Sequence, residues 1–196
     1  MKFIREELKP ADILAGRNID PDAKFAPAIR AILGSYTNHN GLFVLNQDSR
    51  IAPIGDMVIG DTTPPESGPV PLSKYEKLVS EGLYIVRVFR VKAMSGAERL
   101  KVASQWWVRC NGIPYPQKSV MRLWAMRIVN SLPYEIPGKW CTKNTLIPFC
   151  YVLPRDRDPR RDPDGKMKLN PTPRTLENRL VSGVLVDVTD EVTFNG

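Results

Sequence analysis

The sequence predicts an α+β fold, a central antiparallel sheet or small barrel packed against helices. Leu83–Val91 (LYIVRVFRV) is dense in β-branched and aromatic residues, the composition of a strand. His39–Leu45 and Met57–Ile59 are shorter apolar runs on either side of a turn at Asn46-Gln47-Asp48-Ser49, and are expected to pair antiparallel. Stretches with apolar residues at helical spacing lie around them. The 18 prolines among 196 residues suit long, stiff connections better than a helical bundle.

Taken in order, Lys9-Pro10-Ala11-Asp12-Ile13-Leu14 is a short opening segment with Pro10 setting a turn. Phe25–Leu33 (FAPAIRAIL) reads as a helix with Ile29, Ile32 and Leu33 on one side and Gly34 as its cap. The His39 strand follows, then the 57–59 strand, which is expected to end at Gly60-Asp61-Thr62-Thr63-Pro64-Pro65. Pro71–Glu81 (PLSKYEKLVSE) reads as a helix with Ser73 as its cap and Leu72, Tyr75 and Leu78 turned inward. After the strongest strand, Ser95 and Glu98 form a capping-box pattern for a helix from Gly96 to about Cys110, with core mass from Leu100, Ala103, Trp106 and Trp107. Asn111–Pro116 is a tight connection, and Ser119–Leu132 is another expected helix. Arg155–Lys168 (RDRDPRRDPDGKMK) is charged and proline-broken, a solvated loop or linker. Leu180–Phe194 alternates Val and Leu and suits one strand or two short ones. The expected organisation is a domain over 1–153, a charged connection over 154–172, and a C-terminal segment over 173–196 that adds a strand to the same domain.

With 42% hydrophobic and 25% charged residues the composition is that of a globular protein. No apolar run approaches the roughly 20 residues that span a bilayer. Met1–Glu7 has acids where a secretory signal has its apolar segment, so no signal peptide is expected and the cytoplasm is the default location. Carriage on a phage particle or signal-less export would leave the same pattern. The net charge of +7 is spread among acids, which fits a solvated basic surface; nucleic acid is not the expected partner. Cys110, Cys141 and Cys150 are odd in number and lack CxxC spacing, so neither a disulfide framework nor a zinc site is expected, and no cofactor is called for.

Chemistry that needs a group titrating near neutrality must use His39, the only histidine. It stands at a strand start, where it is either a half-exposed structural residue or a rigidly held base. Of the three thiols, Cys141 follows the turn Pro137-Gly138-Lys139-Trp140 and precedes Thr142-Lys143-Asn144-Thr145-Leu146, which can begin a helix. The positive end of that helix would favour the thiolate, and its N–H groups could receive an oxyanion. Cys110 and Cys150 read as packing residues.

The order of these pieces resembles the circularly permuted branch of the NlpC-type, papain-like cysteine peptidase and amidase superfamily, the YiiX-like group. The matching motifs are Lys9–Leu14, His39-Asn40-Gly41-Leu42, Val58-Ile59-Gly60-Asp61, Pro71-Leu72, Val88-Phe89-Arg90, Gly112-Ile113-Pro114-Tyr115 and Trp140-Cys141-Thr142, over about residues 8 to 150. Three features depart from the family pattern: Ala11 where glycine is usual, Lys143 where many members carry an acid, and Pro148, which leaves about two turns of helix after Cys141.

The resemblance implies a papain-like fold and a Cys141–His39 pair, with His39 taking the thiol proton and returning it to the leaving group. A third polar group would orient the imidazole: Asp61 is the choice, with Asp56 and Thr62 as alternatives. Tyr115, Trp140 and Thr142 would line the substrate site. The implied activity is hydrolysis of an amide bond, as in a cell-wall peptide, through an acyl-enzyme. The alternatives are thioester or lipid acyl chemistry, or an inactive papain-like module that docks a protein partner through the charged C-terminal segment.

Overall fold

The computed structural model describes residues 1–23, 25–115, 141–161, 164, 166–169 and 171–194. The expected helix at Ser119–Leu132 and the site residue Trp140 lie outside them. The chain begins with β1 (Lys2–Phe3), β2 (Ile13–Asn18), α1 (Phe25–Leu33), β3 (His39–Leu45), β4 (Met57–Thr63) and β5 (Glu66–Val70). It continues through α2 (Leu72–Ser80), β6 (Tyr84–Val91) and α3 (Gly96–Arg109). Then come α4 (Cys141–Leu146), a 3-10 helix (Ile147–Tyr151), α5 (Pro173–Val181), β7 (Leu185–Asp187), α6 (Thr189–Val192) and β8 (Thr193–Phe194).

Six strands form one antiparallel sheet in the order β5-β4-β3-β2-β6-β7, and β1 pairs separately with β8. The fold is α+β, and the sheet is open: its outer strands β5 and β7 are not paired with each other, so there is no closed barrel. One face packs Ile13, Leu42, Val44 and Val58 against Val102 and Trp106 of α3, Leu146 of α4, Phe149 and Leu176 of α5. The other packs Leu14, Phe43, Ile59 and Val88 against Leu72 and Tyr75 of α2, Phe3 and Val192. Alternate residues of each strand go to opposite cores, the period-two rule of a strand buried on both faces.

The local signals largely carry through. Ser95 accepts from the Glu98 N–H and Glu98 returns a bond to the Ser95 N–H, a complete capping box. Gly34 ends α1 at φ +57°, a left-handed cap that glycine adopts without strain. Ser73 is not a cap: Pro71 holds the N-cap position of α2 and Ser73 lies within the first turn. The second strand extends beyond Gly60 to Thr63, because β5 continues to pair with it.

Three elements depart from expectation. β2 is a central strand, although its ILAGRN sequence is poor in β formers; Gly16 is required there because a Cβ would overlap the Tyr84 ring. β5, with Gly68 and Pro69, is an outer strand, where a missing N–H is tolerated. α5 begins at Pro173, in a stretch without a strong apolar period. Part of the charged tract 155–168 packs instead of standing in solvent. Arg157 donates to Glu98 Oε1 (2.8 Å) and to the Ala93 carbonyl (2.7 Å), and Asp158 and Arg160 are buried.

The sheet's register is held at its centre by a buried carboxylate. Asp12 is fully buried and accepts from Arg90 at both oxygens (Nε 2.9 Å, Nη2 2.7 Å) and from Arg99 Nη1 (3.1 Å). One group thus ties the start of β2 to β6 and α3. Ala11 beside it has φ +68°, the left-handed region, at the position where the resembled family has glycine. The cost for a non-glycine residue is roughly 1–2 kcal/mol, partly offset by about 0.8 kcal/mol for a buried methyl; Ala11 is fully buried. Asp12→Asn is expected to lower unfolding free energy by about 3–5 kcal/mol, because two nearly buried guanidiniums lose their only shared anion. Urea denaturation measures this, and a loss below 1 kcal/mol would refute the role.

Candidate active site

The site forms where β3 and β4 part. Their ladder runs from Leu45↔Met57 to Leu42↔Gly60 and stops, while β4 stays on β5 through Asp61↔Gly68 to Thr63↔Glu66. The N-terminal turn of α4 packs against the ends of both strands. Gly60 permits this geometry, since a Cβ there would run into the Trp106 ring of α3. By strand alternation, His39 and Asp61 face the α2 side, whereas Asn40 and Thr62 face α4.

His39 Nε2 lies 2.5 Å from Asp61 Oδ1. Asp61 is 1% exposed and collects three further donors: the Thr62 N–H on Oδ1 (2.7 Å), and Lys74 Nζ (2.9 Å) and the Tyr75 hydroxyl (3.0 Å) on Oδ2. An ionised carboxylate only accepts, so Nε2 carries the hydrogen. The other ring nitrogen is left for Cys141, which lies near enough to help raise the His39 pKa. Cys141 opens α4 and is 7% exposed, and the Asn40 backbone N–H helps lower its pKa. The Thr142 hydroxyl stands 3.9 Å from the sulfur and donates to Asn40 Oδ1 at 2.7 Å, which fixes α4 to β3.

The electrostatics follow from this packing. Burial alone would lower the His39 pKa, but the Asp61 charge and hydrogen bond, helped by Cys141, raise it to about 10. Burial would likewise push the Cys141 thiol up; the hydrogen bond and charge of His39 and the Asn40 N–H hold it below the ordinary thiol value. Burial disfavours an ionised Asp61, yet His39 and Lys74 keep its carboxyl well below the usual range. The contacts thus shift Cys141 towards the thiolate and His39 towards the imidazolium, with the Asp61 carboxylate behind them. Tyr75 stacks on the imidazole (6.4 Å between centroids, 16° between planes), and Tyr84 meets Tyr75 edge-on at 5.5 Å. Both phenols are pushed well above their usual value by burial and by the Asp61 charge.

Of the residues singled out from sequence, His39, Asp61, Cys141 and Thr142 come together. Tyr115 is half-buried nearby, its phenol raised by burial and by the negative charges of Cys141 and Asp61. Trp140 lies outside the described residues. Thr62 supports Asp61 through its N–H and accepts from Asn144 Nδ2 (2.8 Å) with its hydroxyl. Asp56 sits in the β3–β4 turn, where its carbonyl accepts from the Asn46 N–H. Cys110 is fully buried and donates to the Asn144 carbonyl (3.4 Å); Cys150 donates to the Ile147 carbonyl (3.0 Å). Sequence reasoning took Tyr75 as core and passed over Lys74 and Asn40. The packing of α2 over the end of β4, which brings Lys74 and Tyr75 to Asp61, has no local sequence signal.

No family model matches the chain, and no curated protein matches it by sequence. Among solved structures, the crystal structure of the metalloprotein YiiX from Escherichia coli O157:H7 is similar at a TM-score of 0.51 and 16% identity, covering 90% of this chain and 82% of that one. At that identity the likeness concerns the fold. Among the described residues no three His, Cys, Asp or Glu side chains come together as a metal cage. Asp61, whose oxygens already accept four donors, has little left to offer an ion.

His39 is the chain's only histidine, so its titration can be followed without ambiguity by 15N NMR. In the wild type it should stay protonated until about pH 10. Its folded value lies above the ordinary 6.5, so its contribution to stability is complete below 6.5 and fades as pH rises through about 10. Asp61 has the opposite sign: its contribution holds above the ordinary carboxylate range and is lost only in strong acid. In Asp61→Asn burial is opposed far less, and the imidazole should titrate near or below 6.5. A variant that still titrates near 10 would show that Asp61 does not set the charge of His39.

Proposed function

We propose that this protein is a thiol hydrolase that cleaves an amide bond through an acyl-enzyme on Cys141. The observation that supports the reading most is the His39–Asp61 contact at 2.5 Å, close to a Cys141 thiol whose pKa His39 lowers. Side chains buried as deeply as these are costly to charge unless the charges compensate one another. A structural histidine has no need of an adjacent thiol with a lowered pKa.

With the proton already on the imidazole, the Cys141 thiolate attacks the carbonyl carbon, and the carbonyl π electrons move to oxygen. Collapse of the tetrahedral adduct breaks the C–N bond. His39 gives its proton to the departing amine and becomes neutral. A water molecule then attacks the thioester while His39 takes one of its protons. The carboxylic acid leaves, and the thiolate–imidazolium pair is restored. Asp61 keeps its charge throughout and holds the ring orientation, the orienting part of a triad. Tyr115 and Trp140 are proposed to line the substrate, and Thr142 to hold the nucleophile helix. Cell-wall peptides are the substrate class suggested by the family resemblance.

Thiol reactivity tests this directly. At pH 6 an ordinary thiol is well under 1% ionised, so iodoacetamide should label Cys141 roughly 100-fold faster than Cys110 or Cys150, as mapped by mass spectrometry of time-quenched samples. His39→Ala removes the compensating charge, and labelling of Cys141 at pH 6 should fall at least tenfold. Equal, slow labelling of all three thiols in the wild type would leave the chain as a non-catalytic module of this fold.

A further inference from the structure

We propose that Arg17 and Arg30 form an anion subsite beside the reactive thiol, selecting acyl groups that carry a carboxylate some bonds away from the scissile carbonyl. Several guanidiniums in this fold are matched to carboxylates: Arg50 to Asp48, Arg87 to Asp187, Arg90 and Arg99 to Asp12, and Arg157 to Glu98. Arg17 and Arg30 are not: neither has an anionic partner among the described residues, and they influence one another. Arg30 Nη1 donates to the Asn18 carbonyl (2.6 Å) and to Asn38 Oδ1 (3.4 Å). Arg17 lies over the Tyr36 ring at 4.6 Å, and its Nε is buried with no hydrogen-bond partner. The two are near enough to affect each other: after burial, the Arg17 charge is the main influence lowering the Arg30 pKa.

Two like charges held together without an anion are a liability that folding alone does not require. The pair offers forked donors of the kind that grips a carboxylate or phosphate at two oxygens. Its position ties it to the reaction. Gly16 is the register partner of His39, and Ala15 that of Asn40, which accepts from Thr142 next to the nucleophile. Arg17 follows Ala15 by two residues on the same face of β2, so its Cα lies roughly 7 Å further along the strand, by the usual rise per residue. Asn38, which binds Arg30, immediately precedes His39. An anion held here would lie on the α4 side of the sheet, outward from the thiol. Tyr36, 44% exposed, would stand at its edge.

The inference rests on the proposed hydrolase reading for substrate choice alone; anion binding can be measured without turnover. In Cys141→Ala, titration with inorganic phosphate and with succinate, followed through the Arg17 Nε–H and His39 ring signals, should saturate at millimolar concentration. R17Q and R30Q should each weaken it at least fivefold, and the double variant should abolish it. No saturation below 50 mM, or unchanged affinity in the double variant, overturns the subsite. Arg17 makes no hydrogen bond through its buried Nε, so R17Q alone gives the same readout if the double variant does not fold. In the wild type, mono-4-nitrophenyl succinate should acylate Cys141 with a KM at least fivefold below that of 4-nitrophenyl acetate, and R17Q should erase the gap. Equal KM values in the wild type would overturn the selection of carboxylate-bearing acyl groups. Binding without acylation of either ester would instead count against the hydrolase reading and leave the anion subsite standing.

Discussion

A carboxylate taken out of water must be repaid in donors, and Asp61 is the place where this molecule meets that constraint most completely. With 1% of its surface exposed, it accepts from His39, Lys74, Tyr75 and the Thr62 N–H. The four donors come from three elements: His39 from β3, Lys74 and Tyr75 from α2, and the Thr62 N–H from β4 itself. Satisfying one charge therefore fixes how α2 lies on the sheet and how far β4 can diverge from β3. If any of these elements moved, a buried anion would lose a partner, at a cost comparable to a large part of a domain's net stability.

Asp12 does the same for the other half of the sheet. It binds Arg90 of β6 and Arg99 of α3, while the Lys9 N–H closes the turn in front of it. The two buried carboxylates differ in what they are given. Asp12 is matched by two arginines, which hold their protons at any ordinary pH. Asp61 is matched by a histidine and a lysine, and one of those two can exchange its proton with a neighbouring sulfur. The first arrangement holds register, and the second is suited to chemistry.

What is legible in the sequence follows the range of the forces involved. β6 and β3 are readable because their apolar density is local, and the Ser95–Glu98 box because its two members are three residues apart. β2 is not, since its strand state depends on neighbours: β3 and β6 supply its ladder, and Tyr84 demands a glycine that weakens the local signal. The pairing of His39 with Asp61 was a choice among Asp61, Asp56 and Thr62, and the strand's continuation past Gly60 decides the geometry. Lys74 and Tyr75 reach Asp61 through the docking of α2, a tertiary fact with no pattern in PLSKYEKLVSE to announce it. Arg90 illustrates the converse. It belongs to a motif recognisable in sequence, yet its partner Asp12 becomes evident only in the folded sheet.

The cause of the lowered Cys141 pKa also differs from what local reading suggests. A cysteine at the start of a helix invites an explanation by the helix dipole, worth typically 0.3–1 kcal/mol. Here α4 is six residues long and passes at once into a 3-10 helix containing Pro148, so few peptide units are aligned behind the sulfur. Its burial works against ionisation. What overcomes burial is the hydrogen bond and charge of His39, with the Asn40 N–H in second place. The Asn40 N–H is free to serve because the β3–β4 ladder has already ended at Leu42↔Gly60. The shortness of α4 is thus compatible with the lowered thiol pKa, which owes more to His39 than to the helix. The decisive feature is the parting of two strands, which leaves a backbone donor on one edge and brings His39 near enough to lower the thiol pKa.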